Sequence, residues 1–154
     1  MVQETTDRLM KNLTKTILLS AAIGASANLF AQGKYGATPA DSAECVKNIS
    51  LFQESVKQGS YADAYGPYRK LIAVCPAYSK SLYQNGGKVL GDFITKEKDA
   101  TRKARLIDSL LLNYDWRITH FGEKAFVLGR KGVDLQFYRP KDCKAAHDIL
   151  EESI

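Results

Sequence analysis

The chain has 154 residues, of which 45% are hydrophobic and 25% are charged. These proportions are typical of one folded domain, and they exclude a disordered or a membrane-embedded chain. The formal net charge of +5 is mild. Because nucleic-acid binding requires a concentrated basic face, this charge indicates no nucleic-acid partner.

Residues 1–32 predict a secretory signal peptide. Lys11 and Lys15 precede the apolar run TILLSAAIGASANLFAQ, residues 16–32, which ends in small residues. Met10 is a natural start, and we expect cleavage near residues 31–32. A membrane anchor is the alternative, but the run is short against the ~20 apolar residues that a spanning helix needs. We therefore expect an exported protein, periplasmic or associated with the outer membrane or cell surface, without an integral membrane span after signal cleavage.

Residues 33–41 form a linker that contains Gly and Pro, and the remainder of the chain predicts an all-α fold. Apolar residues recur every three to four positions, and no stretch shows the sustained alternation that predicts a strand. Asp41 or Ser42 is expected to cap the first helix. The predicted helices span residues 42–58, 61–74, 77–95, 99–114 and 122–137, and a sixth has Pro140 in its first turn.

The pattern of the sixth helix continues to the last residue. Its final stretch, HDILEESI, contains no terminating Gly or Pro, and its apolar face needs a neighbour. We expect the helical domain, residues 42–154, to continue beyond this chain or to dock on a partner.

The stretch GSYADAYGPYRKLIAVCP, residues 59–76, has apolar and turn residues at informative intervals. Gly59 permits a tight interhelix turn, Ala64 allows close helix approach, Tyr68 fills space between helices, and Pro76 ends the second helix. This spacing resembles the second half of a tetratricopeptide repeat, and Gly86 falls at the close-packing position of the next unit in the same register. The resemblance implies stacked antiparallel helical hairpins.

Three longer segments extend the resemblance. They are ECVKNISLFQESVKQGSYADAYGPYRKLIAVCP, LIDSLLLNYDWRITHFG and FVLGRKGVDL, and together they are similar to secreted tetratricopeptide proteins of Bacteroidota-type bacteria. That similarity implies an extracytoplasmic scaffold and no known reaction. One departure is Pro67 beyond the first turn of helix two, where a Pro costs roughly 3 kcal/mol. Either the helix is kinked there, which we favour, or it starts at Pro67.

The hairpin geometry predicts a disulfide between Cys45 and Cys75. Cys45 lies 14 residues before Gly59 and Cys75 lies 16 residues after it, so both reach the open end of an antiparallel hairpin. An exported protein meets the oxidising conditions that the bond requires. The alternative is two buried thiols that pack as small apolar groups. Cys143 is left over and is expected to be a buried thiol on the apolar face of helix six.

No residue pattern indicates catalysis, a cofactor or a metal. Cys143 and His147 are one helical turn apart, but no third, orienting residue is evident. The cysteines lack the spacing of zinc ligands. The glycines of VLGRKG, Gly129 and Gly132, are interpreted as close helix contacts, and the basic cluster of residues 96–105 as a solvated surface. Contact of that cluster with acidic glycans or lipid headgroups is the alternative.

Stacked helical hairpins bind extended peptides on a concave side that the first helix of each pair lines. We therefore expect a protein–protein interaction scaffold or adaptor of the cell envelope, with a protein or peptide partner. The candidate contact residues are Val46, Ile49, Gln53, Lys57, Lys80, Tyr83 and Leu90. The alternative is the helical arm of a larger enzyme or carbohydrate-binding accessory whose active domain lies beyond Ile154.

Overall fold

The computed structural model describes residues 33–154, and within that range it contains six long helices and no strand. In chain order they are α1 (Pro39–Lys57), α2 (Tyr61–Val74), α3 (Lys80–Lys96), α4 (Ala100–Phe121), α5 (Lys124–Tyr138) and α6 (Cys143–Glu152). The all-α prediction is confirmed. The predicted signal peptide lies outside the described residues. Among the helices of residues 33–154, none is long and apolar enough to cross a bilayer.

The six helices form three hairpins that stack in chain order. Packing is most extensive within the pairs α1–α2, α3–α4 and α5–α6, and it continues from α2 to α3 and from α4 to α5. The core runs along these interfaces, and its largest fully buried apolar side chains include Phe52, Leu71, Leu82, Leu90, Ile94, Leu110 and Val127. The predicted arrangement of stacked helical hairpins is therefore present.

The first helix begins three residues earlier than predicted. Thr38 is the N-cap, and its hydroxyl accepts a hydrogen bond from the Asp41 backbone N–H at 3.1 Å. The Asp41 carboxylate accepts in turn from the Thr38 N–H at 3.0 Å, which completes a capping box. The expectation that Asp41 or Ser42 is itself the cap is wrong, because Pro39 occupies the first helical position, which its fixed φ favours.

The second helix runs without interruption from Tyr61 to Val74, with Pro67 inside it. The alternative in which this helix starts at Pro67 is therefore wrong. Gly59 has φ +71°, a left-handed conformation that favours glycine, and it makes the turn that the repeat-like spacing requires.

The fourth helix extends seven residues beyond its predicted end. Residues 115–121, expected as a connection, continue α4, because Tyr114 and then Arg117 prolong its buried face. The helix ends only at Gly122, whose φ is +69°. Trp116, in the extended part of the helix, is partly buried against the core.

The start of the sixth helix also differs from its prediction. It begins at Cys143, so Pro140 lies in the preceding turn rather than in the first helical turn. Cys143 is exposed, and the prediction that its thiol is buried is wrong. The helix turns Ala146 toward the core instead.

Two glycines allow helices to approach each other closely. A Cβ placed on Gly86 would overlap the Tyr68 ring and lie 3.1 Å from the Asn113 Oδ1 atom. A Cβ on Gly132 would lie 2.6 Å from the Leu150 Cγ atom. Both separations are below normal contact distance, so the packing role predicted for Gly86 and Gly132 is confirmed. Gly129 has only ordinary contacts, with Ser153 atoms at 3.8 Å or more.

A disulfide closes the open end of the α1–α2 hairpin. Cys45 and Cys75 are bonded with an S–S length of 2.09 Å and a Cα–Cα distance of 6.0 Å, and both residues are buried. The pairing predicted from their positions on either side of Gly59 is present.

Candidate functional site

The sequence-predicted contact residues do not all reach the surface. Tyr83 and Leu90 of α3 are only 1% and 0% exposed, so their side chains are not open to a partner, and their assignment to a binding face is corrected. The reason is that α3 packs against both α2 and α4, which covers more of its circumference than its own periodicity reveals.

The remaining candidates have three different environments. Val46, Gln53 and Lys57 are exposed on α1, whereas Ile49 is partly buried against the core. Lys80 is half-buried, and its Nζ atom forms an ion pair with Glu123 at 2.8 Å. The use of these five residues by a partner stays a prediction.

A groove of about 610 Å³ lies between α3 and α5, with α4 contributing to its wall. The helices α3 and α5 are the first members of the second and third hairpins. We call this feature the α3–α5 groove. Its polar and charged side chains are Gln84, Asn85 and Lys88 from α3, Arg117 from α4, and Arg130 and Asp134 from α5. Tyr138 and the exposed Phe126 add aromatic rings to the lining, so the groove offers amide, cationic and aromatic contacts.

Arg117 is the most deeply buried cation of the groove, with an exposed fraction of only 5%. Its Nη2 atom donates to the Glu123 Oε2 atom at 2.8 Å, and its guanidinium carbon lies 5.5 Å from the centroid of the Phe126 ring. Its Nε atom is buried and has no hydrogen-bond partner among residues 33–154. Leaving such a donor unpaired costs about 1–3 kcal/mol, and more for a charged group.

Glu123 connects three helices from an unusual backbone conformation. It precedes α5 with φ 57° and ψ 36°, in the left-handed region that disfavours side chains with a Cβ. Its Oε1 atom accepts from Lys80 of α3 and its Oε2 atom from Arg117 of α4, each at 2.8 Å. Hydrogen bonds from Lys80 and then from Arg117 hold the pKa of this carboxyl below its usual range.

Tyr114 and Asp134 fix α5 against α4 at the opposite wall. The Tyr114 hydroxyl donates to the Asp134 Oδ2 atom at 2.6 Å. Burial raises the pKa of the Tyr114 phenol, and the bond to Asp134 raises it further. Lys131 and Asp115 add an ion pair of 2.6 Å between the same two helices. These contacts hold the groove walls in place.

A buried amide supports the α3 wall from behind. Asn113 is 1% exposed, accepts a hydrogen bond from the Tyr68 hydroxyl at 2.9 Å and donates to the Tyr83 carbonyl at 3.0 Å. One side chain of α4 therefore links α2 and α3. The only sequence signal for this role is a single amide in the apolar run LLLNYDW.

The polar residues of α6 form a solvated surface. His147, Asp148 and Glu151 have potential metal-ligand atoms within 4.8 Å of one another, but all three residues are exposed. Asp148 pairs with Lys144 at 2.7 Å. The Cys143 thiol donates to the Pro140 carbonyl at 3.0 Å, so its hydrogen bond is directed to the backbone.

Arg117, which lines the groove, and Glu123, which pairs with it, carry no motif that sequence reasoning could recognise. Compared with known proteins, the chain matches no family model, no curated protein and no solved structure. The interpretation of the groove therefore rests on its own geometry and chemistry.

Proposed function

We propose that this chain is a protein–protein interaction scaffold that binds an extended segment of a partner in the α3–α5 groove. The observation that carries the proposal is the groove itself, which is formed by the first helices of two consecutive hairpins. Stacked helical hairpins use such surfaces for extended ligands. The proposed activity is noncovalent: the acidic side chain of the groove lining, Asp134, accepts a hydrogen bond from the Tyr114 hydroxyl at 2.6 Å.

The lining suits a polypeptide ligand. Gln84 and Asn85 carry amides that donate and accept, which matches the donor and acceptor of each peptide group. Gly87 and Gly91 carry no side chains, so a ligand backbone can come close to the α3 wall at these two positions. Phe126 adds an apolar ring that is 60% exposed.

We further propose that the protein functions outside the cytoplasm and that its hairpins are of the tetratricopeptide type. The buried Cys45–Cys75 disulfide supports the first point, because such bonds persist in oxidising compartments. The signal-peptide pattern of residues 1–32 supports it independently. The turn at Gly59 and the close packing at Gly86 support the second point, since both occur at the positions that the repeat spacing assigns to them.

Site-specific photo-crosslinking in envelope extract tests the scaffold proposal. A photoreactive phenylalanine analogue at Gln84, inside the groove, is expected to form a discrete adduct with a protein. The same analogue at Ala73, an exposed residue of α2 outside the groove, is the matched control. Adding Phe126→Ser to the Gln84 probe should weaken the adduct by removing the apolar contact. Equal labelling from both positions, or labelling unaffected by the Phe126 change, would contradict the proposal.

A further inference from the structure

The guanidinium of Arg117 is only partly used. An arginine offers five N–H donors, and the edge formed by Nε and a terminal nitrogen donates one hydrogen bond to each oxygen of a carboxylate. Glu123 places only its Oε2 atom on Arg117, at Nη2, because its other oxygen is bound to Lys80. The Nε donor is enclosed and unpaired among the described residues. A carboxylate that was not shared with Lys80 could accept from Arg117 with both of its oxygens, and would form two hydrogen bonds where Glu123 forms one.

Glu123 is well suited to give way to such a carboxylate. It lies in the two-residue turn between α4 and α5, both of whose residues have positive φ. Its side chain is 41% exposed, so water can solvate the carboxylate after it leaves Arg117. Its ion pair with Lys80, at 2.8 Å, remains available to it after the exchange.

The surrounding charge favours an acidic ligand. Lys88 and Arg130 line the same groove, and both are exposed. Within the described part of the chain, Asp134 is the one acidic side chain of the lining, and it accepts the Tyr114 hydroxyl. Once Glu123 swings away, Arg117 joins two further cations in a groove with little negative charge. Charge complementarity of this kind selects partners and suppresses those of the wrong sign.

We propose that Arg117 is a subsite for an acidic side chain of the bound segment, and that Glu123 occupies this subsite until the ligand's carboxylate displaces it. This inference rests on the proposed function, since it names the chemistry that the α3–α5 groove recognises. The peptide carboxylate pairs with Nε and a terminal nitrogen of Arg117, and the ring of Phe126 packs beside it. Arg117 thereby determines specificity, and Glu123 sets the affinity by competition.

Two peptide pools measure this selectivity on the purified full-length chain. Each pool contains fluorescein-labelled pentapeptides with random flanking positions and either Glu or Gln at the centre, and binding is followed by fluorescence anisotropy. The Glu pool is expected to bind about tenfold more tightly than the Gln pool, as expected for one added hydrogen-bonded charge pair. Arg117→Lys, which keeps the charge but lacks the fork, should remove most of that difference.

The Glu123→Gln variant separates a placeholder from a purely structural residue. It should strengthen binding of the Glu pool roughly threefold, as expected for the loss of a competing half-exposed ion pair, and leave the Gln pool unchanged. Glu54→Gln on α1 is the matched control, because it changes the net charge equally at an exposed site outside the groove. Circular dichroism confirms that each variant is folded.

Several results would overturn the inference. If Glu123→Gln weakens the Glu pool, or affects it no more than Glu54→Gln does, Glu123 is not a placeholder. If both pools bind equally, Arg117 is not an acidic subsite, although the groove can still be the scaffold surface. If neither pool binds, the peptide inference also fails. In that case, inhibition of adduct formation at the Gln84 probe by polygalacturonate would identify an anionic glycan site.

Discussion

Reduction of the Cys45–Cys75 disulfide should remove a large part of the free energy of unfolding. The two cysteines are 30 residues apart in sequence. For a closed loop of that length the chain-entropy model gives about 3.6 kcal/mol at room temperature, because the bond restricts the unfolded chain. A domain of this size has a total stability of roughly 5–15 kcal/mol, so the loss would be evident in any equilibrium experiment.

Urea denaturation followed by circular dichroism measures this loss, with the wild-type chain compared before and after reduction. Reduced wild type keeps every side chain, so it isolates the covalent bond. The Cys45→Ala/Cys75→Ala double variant should be slightly less stable still, because both residues are buried and alanine leaves part of their volume empty. Cys143→Ala is the matched control and should be neutral, since Cys143 is exposed.

The same titration yields a second, independent readout. The dependence of the free energy on urea should be steeper after reduction, because an uncrosslinked unfolded chain exposes more surface. Thiol counting on the unreduced, denatured protein should find one free thiol of the three cysteines. Oxidised and reduced chains that agree within about 1 kcal/mol would refute the loop-closure argument, and three free thiols would refute the bond itself.

Three further predictions concern packing, hydrogen bonding and ionisation. The free energy of unfolding of Gly132→Ala, measured by urea denaturation, should be about 1–3 kcal/mol lower than that of the matched variant Gly129→Ala. Both variants gain helix propensity, but only Gly132→Ala crowds Leu150. Equal stability would contradict the close contact. Asn113→Leu should cost about 1–3 kcal/mol, since it leaves the buried Tyr68 hydroxyl without its acceptor and removes the bond to the Tyr83 carbonyl, and a neutral result would argue against the network. Burial raises the pKa of the phenols of Tyr68, Tyr83 and Tyr114, so the folded state favours their neutral form. Their contribution to stability is complete below pH ~10, the pKa of an exposed phenol, and is lost as the pH rises further. Absorbance at 295 nm should show these three phenols ionising only when the chain unfolds.

The helices and the first hairpin were predictable because their signals are local. Apolar residues at helical spacing, with Gly59 and Pro76 as boundaries, predicted α2 at the bounds that the structure shows. The Cys45–Cys75 pair followed from counting residues on either side of one turn. The close contacts at Gly86 and Gly132 were also accessible, since a glycine on a packed helix face leaves room for a neighbouring helix to come close.

The errors arose where distant residues decide a local outcome. The segment 115–121 was predicted as a connection between the fourth and fifth helices. In the structure Arg117 is buried there, with Glu123 and the Phe126 ring beside it, and α4 continues. Cys143 was predicted to be buried from its spacing to Ala146, but the helix presents it to solvent.

By itself the sequence determined that this chain is helical, where most of the helices lie and how the first pair is bonded, because hydrophobic periodicity and turn chemistry act over a few residues. Only the tertiary structure decided which helix faces are covered, and therefore that Tyr83 and Leu90 are buried while a cationic groove opens between α3 and α5. Periodicity identifies an apolar face, but the burial of a charge such as Arg117 depends on partners that other helices bring to it.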